Sequence, residues 1–280
     1  MRLKGSTMVK VQKYVRRPRG FTLIELTVVL LILVALAGVL IPLVSGYLGK
    51  AAGASSANNI AESVENIQLY QTQTQKFPDG YTSLVTAAGT IPTTAFNGIP
   101  GAVQAGAWNV NTGQAYWTAA YGVNPPVVVT PTPLASFQVT SMQLAGINNI
   151  YEAIDNPVGS PTTYGVETST LAPLAADKFL KLDDLAVKTA LGIDPAVTGL
   201  QYFVFAISDK CSAIGKTMVQ PPVAFVKGDD VTSTYCRFFA VYGLPSSTPP
   251  FPIPAKFISV LNADLTPASA SLQTYYTASN

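Results

Sequence analysis

The side chains able to do chemistry in this 280-residue chain are few, and their types exclude most reactions. There is no histidine, and the only cysteines are Cys211 and Cys236. That removes the commonest general base, the commonest nitrogen ligand and every thiolate metal cluster. The acidic pairs Asp183 and Asp184, and Asp229 and Asp230, hold oxygens of the kind calcium wants, but no EF-hand spacing surrounds them. A solvated helix face accounts for the first pair and a hairpin turn for the second, so no metal site and no cofactor is expected. Paired carboxylates also hydrolyse glycosides, yet nothing here tells a catalytic pair from a turn, and no GxSxG nucleophile motif occurs. An enzyme built on this chain would have to rely on carboxylates, Lys, Ser or Tyr, and no catalytic residue is assigned. Trp108, Tyr116, Trp117 and Tyr121 are candidates for a binding face, but core packing is the commoner use of such rings. Thr130, Thr132, Thr248 and Thr266 each precede proline, a composition compatible with O-glycosylation of exposed stretches.

One carboxylate is out of place. Glu25 stands at the start of an apolar run, and residues 26–44 continue for 19 positions without a charge, enough to cross a bilayer core. A carboxylate in a membrane helix costs about 2.5–3.5 kcal/mol on insertion scales, so Glu25 needs a partner. Seven bases and no acid precede the run (Arg2, Lys4, Lys10, Lys13, Arg16, Arg17, Arg19), which keeps that end in the cytoplasm and sends the rest outward. Removing those seven leaves ten bases against 15 acids, a remainder near −5 that would repel phosphate; no nucleic-acid partner is expected. Charged residues make up 11% of the chain, against roughly 25% in ordinary soluble domains. Ala35, Leu36 and Ala37 mimic a signal-peptidase site, but the apolar run continues past them and Glu25 lies inside what should be a purely apolar region. In a chain exported this way, Cys211 and Cys236 read as one disulfide.

Beyond the span, Ala57, Ile60, Ala61, Val64, Ile67 and Gln71 recur at helical spacing, predicting one helix over residues 21–76 that stops at Pro78 with a turn at Asp79 and Gly80. Residues 81–140 are rich in Gly, Pro, Thr and Asn and suggest short strands and long loops. Two further helical patterns follow, Ile147, Ile150, Tyr151 and Ile154 before Pro157, and Phe179, Leu182, Leu185 and Thr189 before Gly192. Residues 201–208, 223–226 and 234–243 carry the clearest strand signal, the last two joined by a turn at Gly228, Asp229 and Asp230, and an antiparallel sheet is expected. The Pro-rich tail after Gly243 is expected to wrap the domain without adding a core element.

The segment RGFTLIEL, residues 19–26, with its basic leader and apolar span, resembles the processing site of type IV prepilins and type II secretion pseudopilins. The resemblance covers about residues 14–76, with Pro42, Tyr47 and Lys50 where that family often has a proline, an aromatic and a base. It implies an α+β pilin-like fold, a long N-terminal transmembrane helix packed on an antiparallel β-sheet, loop-rich and with one disulfide. It implies that residues 1–20 are a removed leader, 21–44 the membrane-spanning half of helix 21–76, and 77–280 an extracellular globular domain. Prepilin peptidase would cut after Gly20 and the new N-terminus, Phe21, would be methylated. Glu25 would meet the Phe21 amine of a neighbouring subunit, and the helix would open near Gly38 and Pro42 in the assembled state. The implied partners are identical or related pilins, the peptidase, an assembly platform with its ATPase, and the inner membrane before assembly into a filament on the cell surface. A structural subunit of a type IV pilus is the leading expectation. A secretion pseudopilin is the alternative, since residues 68–85 resemble the stretch after the pseudopilin helix, and the length leaves room for a minor or tip pilin.

Overall fold

The computed structural model describes residues 22–86, 129–153, 169–175, 178–182, 184–194, 198–222, 237–262, 265–269 and 272. The chain divides into two units, Met1–Ser45 and Gly46–Asn280, and helix α1, Leu23–Thr74, contributes to both.

In the first unit α1 is apolar on every side from Val28 to Val44, and Leu23–Ile41 is long and apolar enough to cross a membrane, with mean hydropathy 2.9 and none of it buried. Valines and isoleucines are mediocre helix formers in water, but in hydrocarbon every backbone group must bond within the segment, and a helix does this. Thr27 satisfies its own hydroxyl on the Ile24 carbonyl at 2.9 Å.

In the second unit one face of α1 is buried through Ser56, Ile60, Ser63, Ile67 and Tyr70. The stripe read from the sequence is shifted, because Ala61 and Gln71 are exposed while two serines and a tyrosine are not. Ser63 donates to the Asn59 carbonyl at 2.6 Å, so its hydroxyl is satisfied inside the helix and it packs as a small residue. The helix ends before Pro78, at Gln75, whose φ of +57° is left-handed and whose amide donates to Gln71 O at 2.7 Å. Thr74 then folds over the end, its one hydroxyl hydrogen within reach of both Tyr70 O at 2.8 Å and Lys76 O at 2.9 Å.

The elements after α1 are β1 (Tyr81–Thr86), β2 (Val129–Pro133), α2 (Ser136–Leu144), β3 (Asn149–Ala153), β4 (Ser169–Pro173), β5 (Lys178–Leu182), α3 (Asp184–Ala190), β6 (Leu200–Ala206), β7 (Phe239–Pro245) and β8 (Lys256–Leu261). They form one sheet that is mixed, a correction to the antiparallel expectation: β1 pairs β3 in parallel, Tyr81 opposite Ile150, and the other named pairs are antiparallel. Parallel partners need a crossover, and α2 lies in the chain between these two. Strand β6 is the hub. Its full length pairs β7, while its other edge is shared by β5 at Phe203 and Val204 and by β1 at Ala206.

Three other expectations are corrected. Residues 147–153 are not a helix: Ile150 sits in β3 and Ile147 precedes it, both buried, and a short apolar run of this kind does not by periodicity tell strand from helix; Ile154 lies outside the described residues. The supposed stripe of Phe179, Leu182, Leu185 and Thr189 straddles two elements, the first two in β5 and the last two in α3. The tail does add structure, since β8 pairs along β7 from Phe239 opposite Leu261 to Gly243 opposite Lys256. Strand 223–226, the turn at Gly228, Asp229 and Asp230, and the aromatics 108–121 lie outside the described residues.

The core between α1 and the sheet is aromatic. Tyr242 is the centre, with ring centroids 5.5 Å from Phe77, 5.7 Å from Tyr81, 5.9 Å from Phe205 and 5.6 Å from Phe257, mostly edge-on as ring quadrupoles prefer. Tyr81 and Tyr242 are fully buried and join their hydroxyls at 2.9 Å.

Candidate functional site

Glu25 is held at the polar start of an apolar helix. Its carboxylate Oε2 accepts the Thr22 amide at 2.9 Å, and its own amide donates to Thr22 Oγ1 at 3.3 Å. This reciprocal arrangement is a capping box, which satisfies orphan amides of the first turn, and an acid also suits the positive end of the helix dipole. The spacing Thr-x-x-Glu carries that signal in the sequence, and the reading of Glu25 as a group awaiting an intermolecular partner missed it. Thr22 is thus the residue that positions Glu25. Gly20 and Phe21 lie outside the described residues.

Along the same helix, α1 is continuous past Gly38 and Pro42. Lys50 Nζ lies over the Tyr47 ring, 5.7 Å from its centroid, a cation–π contact linking two positions singled out by the resemblance.

The junction after α1 is built on Asp79. Its Oδ1 accepts the amides of Asn148 at 3.0 Å and Asn149 at 2.8 Å, and its Oδ2 accepts the Asn149 side chain at 2.9 Å. Its backbone exchanges bonds with Ser212, Asp79 N to Oγ at 2.7 Å and Ser212 N to Asp79 O at 2.8 Å. Ser212 Oγ in turn donates to the Tyr70 hydroxyl at 3.1 Å, and Lys216 Nζ donates to it at 3.3 Å. Gly80 completes the turn with φ +75°, where a Cβ would meet Lys210 O at 2.7 Å. The helix end, the start of β3 and the loop after β6 are tied at this one point.

Of the remaining sequence-stated residues, Cys211 is buried, and burial pushes its thiol up to about 12, against the opposing bond from the Ala213 amide. Cys236, and with it the disulfide, lies outside the described residues. So do Asp183, Asp229 and Asp230; Asp184 is the first residue of α3. Thr266 is 3% exposed, which corrects its inclusion among exposed glycosylation candidates.

Residues 15–41 match the family model of the prokaryotic N-terminal methylation motif, the prepilin signature of type IV pilins and pseudopilins. The match spans the basic approach, Gly20, Phe21, the Thr22 and Glu25 cap, and the exposed apolar run. No curated protein and no solved structure matches the chain. The signature supports a type IV pilin-like or pseudopilin substrate of prepilin peptidase, a structural class and not an enzyme class. The apolar helix fits a membrane-anchored precursor, and helix plus mixed sheet fits an α+β pilin-like fold.

Proposed function

We propose that this chain is a structural pilin: a membrane-held precursor that prepilin peptidase cuts after Gly20 and methylates on Phe21, and that then assembles through α1 into an extracellular type IV filament. The observation that carries the reading is the methylation motif at residues 15–41 laid onto a helix whose span Leu23–Ile41 is apolar enough to cross a membrane, with Glu25 its one charge, and is unburied in its own chain. A helix so exposed needs lipid before assembly and other subunits afterwards. Glu25 is the assembly residue: it exchanges its local cap for the Phe21 amine of a neighbour, and Pro42 with Gly38 marks where the helix opens as subunits pack. Residues 1–20 are the leader, 21–44 the membrane half of the helix, and 77–280 the exported domain.

The disulfide between Cys211 and Cys236 belongs to the same proposal. Ile207 N donates to Phe238 O at 2.9 Å, four residues before Cys211 and two after Cys236. Burial pushes the Cys211 thiol up to about 12, so folded Cys211 would offer little thiolate for exchange.

Mass spectrometry of the mature N-terminus, paired with imaging of sheared surface filaments, tests the proposal. An N-methylated Phe21 on chains that repeat along a filament is expected; an intact residue 1, or a start at Gly38, would overturn it. A secretion pseudopilin is the second reading, favoured by residues 68–85, and a deletion strain that keeps its surface filaments but fails to secrete would select it.

A further inference from the structure

Helix α1 carries charges that it cannot pair by itself. From Gly46 to Thr74, its part in the second unit, the charged residues are Lys50, Glu62 and Glu65. Helical neighbours lie three or four positions apart, and at those distances from Lys50 stand Gly46, Tyr47, Gly53 and Ala54, with no acid. The same positions around Glu62 and Glu65 hold no base, and the two carboxylates are themselves helical neighbours, where like charges repel. Among the described residues none of the three forms an ion pair. Glu62 borders a groove between α1 and segment 217–222 and is the one charged residue in that lining. Lys216, the base that precedes the segment, is engaged elsewhere, its ammonium 3.3 Å from the Tyr70 hydroxyl and 5.1 Å from that ring's centroid.

The helical repeat puts Lys50 and Glu65 on the side of α1 away from the buried stripe of Ser56, Ile60, Ser63, Ile67 and Tyr70, with Glu62 toward its edge. Tyr47, Ala61 and Leu69 share that side and are exposed. A solvated helix face usually carries charged pairs one turn apart; this one has apolar residues and charges of opposite sign at its two ends. Base and acids are separated by about 18–22 Å of helix axis, too far to meet in one helix. They coincide when a parallel copy is shifted by that distance. Antiparallel copies would also match, but the basic end of every copy faces the same side of the membrane.

We infer that α1 of one copy of this chain packs on α1 of another in parallel, shifted by about 18–22 Å, with Lys50 of one copy set between Glu62 and Glu65 of the other. The inference rests on the filament reading above and adds a register to it. An ammonium has three donors and can serve both carboxylates, which also relieves their mutual repulsion. Base and acids occupy different parts of the helix, so the contact is heterologous: each copy offers both halves, and it propagates instead of closing a dimer.

The test reverses these charges in the full chain: Lys50→Glu alone, Glu62→Lys with Glu65→Lys, and all three together, each scored as sheared surface filament per mature subunit in the membrane. Either partial reversal should cut that ratio by about fivefold or more, and the combined variant should restore most of it, because it exchanges the signs and keeps the register. Wild-type ratios throughout, or a loss that the combined variant does not recover, would overturn the register and leave the filament reading intact. Independently, Lys50→Cys with Glu65→Cys, mildly oxidised in sheared filaments, should give a ladder of cross-linked copies that neither single variant gives, and its absence would also overturn the register. A wild-type chain that is not cut at Gly20, or that yields no filament, overturns the filament reading instead.

Discussion

At the scale of single residues, the buried hydroxyl pair of Tyr81 and Tyr242 makes the sharpest claim. Removing one hydroxyl strands the other in an apolar core, at about 1–3 kcal/mol, whereas removing both leaves nothing unsatisfied. Tyr81→Phe and Tyr242→Phe should therefore each lower the denaturant midpoint, and the double variant should recover much of the loss; strictly additive losses would count against the pair. Burial also pushes both phenols well above their usual range. The folded chain then keeps protons that the unfolded chain releases near about pH 10. Since the unfolded state binds fewer protons above that point, the stability present below it is lost as pH rises further. Unfolding followed in detergent should show a midpoint that falls above about pH 10, by up to about 1.4 kcal/mol per pH unit for each phenol.

At the scale of elements, the end of α1 is held by local chemistry that the hydrophobic pattern does not report. Gln75 adopts a left-handed φ of +57°, a conformation that costs a side-chain-bearing residue about 1–2 kcal/mol and costs glycine nothing comparable. Gln75→Gly should raise the midpoint of thermal unfolding, against the usual direction of glycine substitutions in helices. Asp79→Ala should do the reverse: three acceptor bonds to Asn148 and Asn149 disappear, and bonds to a charged group are worth about 1.5–3 kcal/mol. Hydrogen exchange should speed up at the Asn148 and Asn149 amides first, because those donors lose their acceptor outright.

At the scale of the whole molecule, the cap that Glu25 forms with Thr22 and the assembly role proposed for it separate by substitution. Glutamine keeps an acceptor for the Thr22 amide but drops the charge; alanine removes both. If the carboxylate docks on the Phe21 amine of a neighbour, Glu25→Gln and Glu25→Ala should both reduce sheared filament relative to mature subunit. Breaking one side of a buried ion pair costs about 3–5 kcal/mol. Membrane insertion and cleavage should persist, since the substitution relieves an insertion cost. Wild-type filament yield from Glu25→Gln, with loss only in Glu25→Ala, would confine Glu25 to its cap.

The methylation motif at residues 15–41 and the long helix Leu23–Thr74 were legible in the sequence because their determinants are local. A basic approach, a glycine and a charge-free run each act within a few residues and are read as linear text, while the Thr-x-x-Glu cap, equally local, was missed. The strand signals at 201–208 and 234–243 were legible for a related reason, as β-branched and aromatic runs fit a buried sheet in any topology; among the described residues they overlap the paired strands Leu200–Ala206 and Phe239–Pro245. Tertiary structure alone decided the rest. Whether Ile147 and Ile150 served a helix or a strand depended on the edge of β1 being open to them in parallel, and the role of Lys256–Leu261 as a strand depended on the free edge of β7. Asp79 looked like a turn residue from its neighbours Pro78 and Gly80; that it also binds chain some 70 residues away is fixed by where the sheet returns. Long-range pairing of this kind is written in no local window, because the partner strand and not the segment supplies the hydrogen bonds.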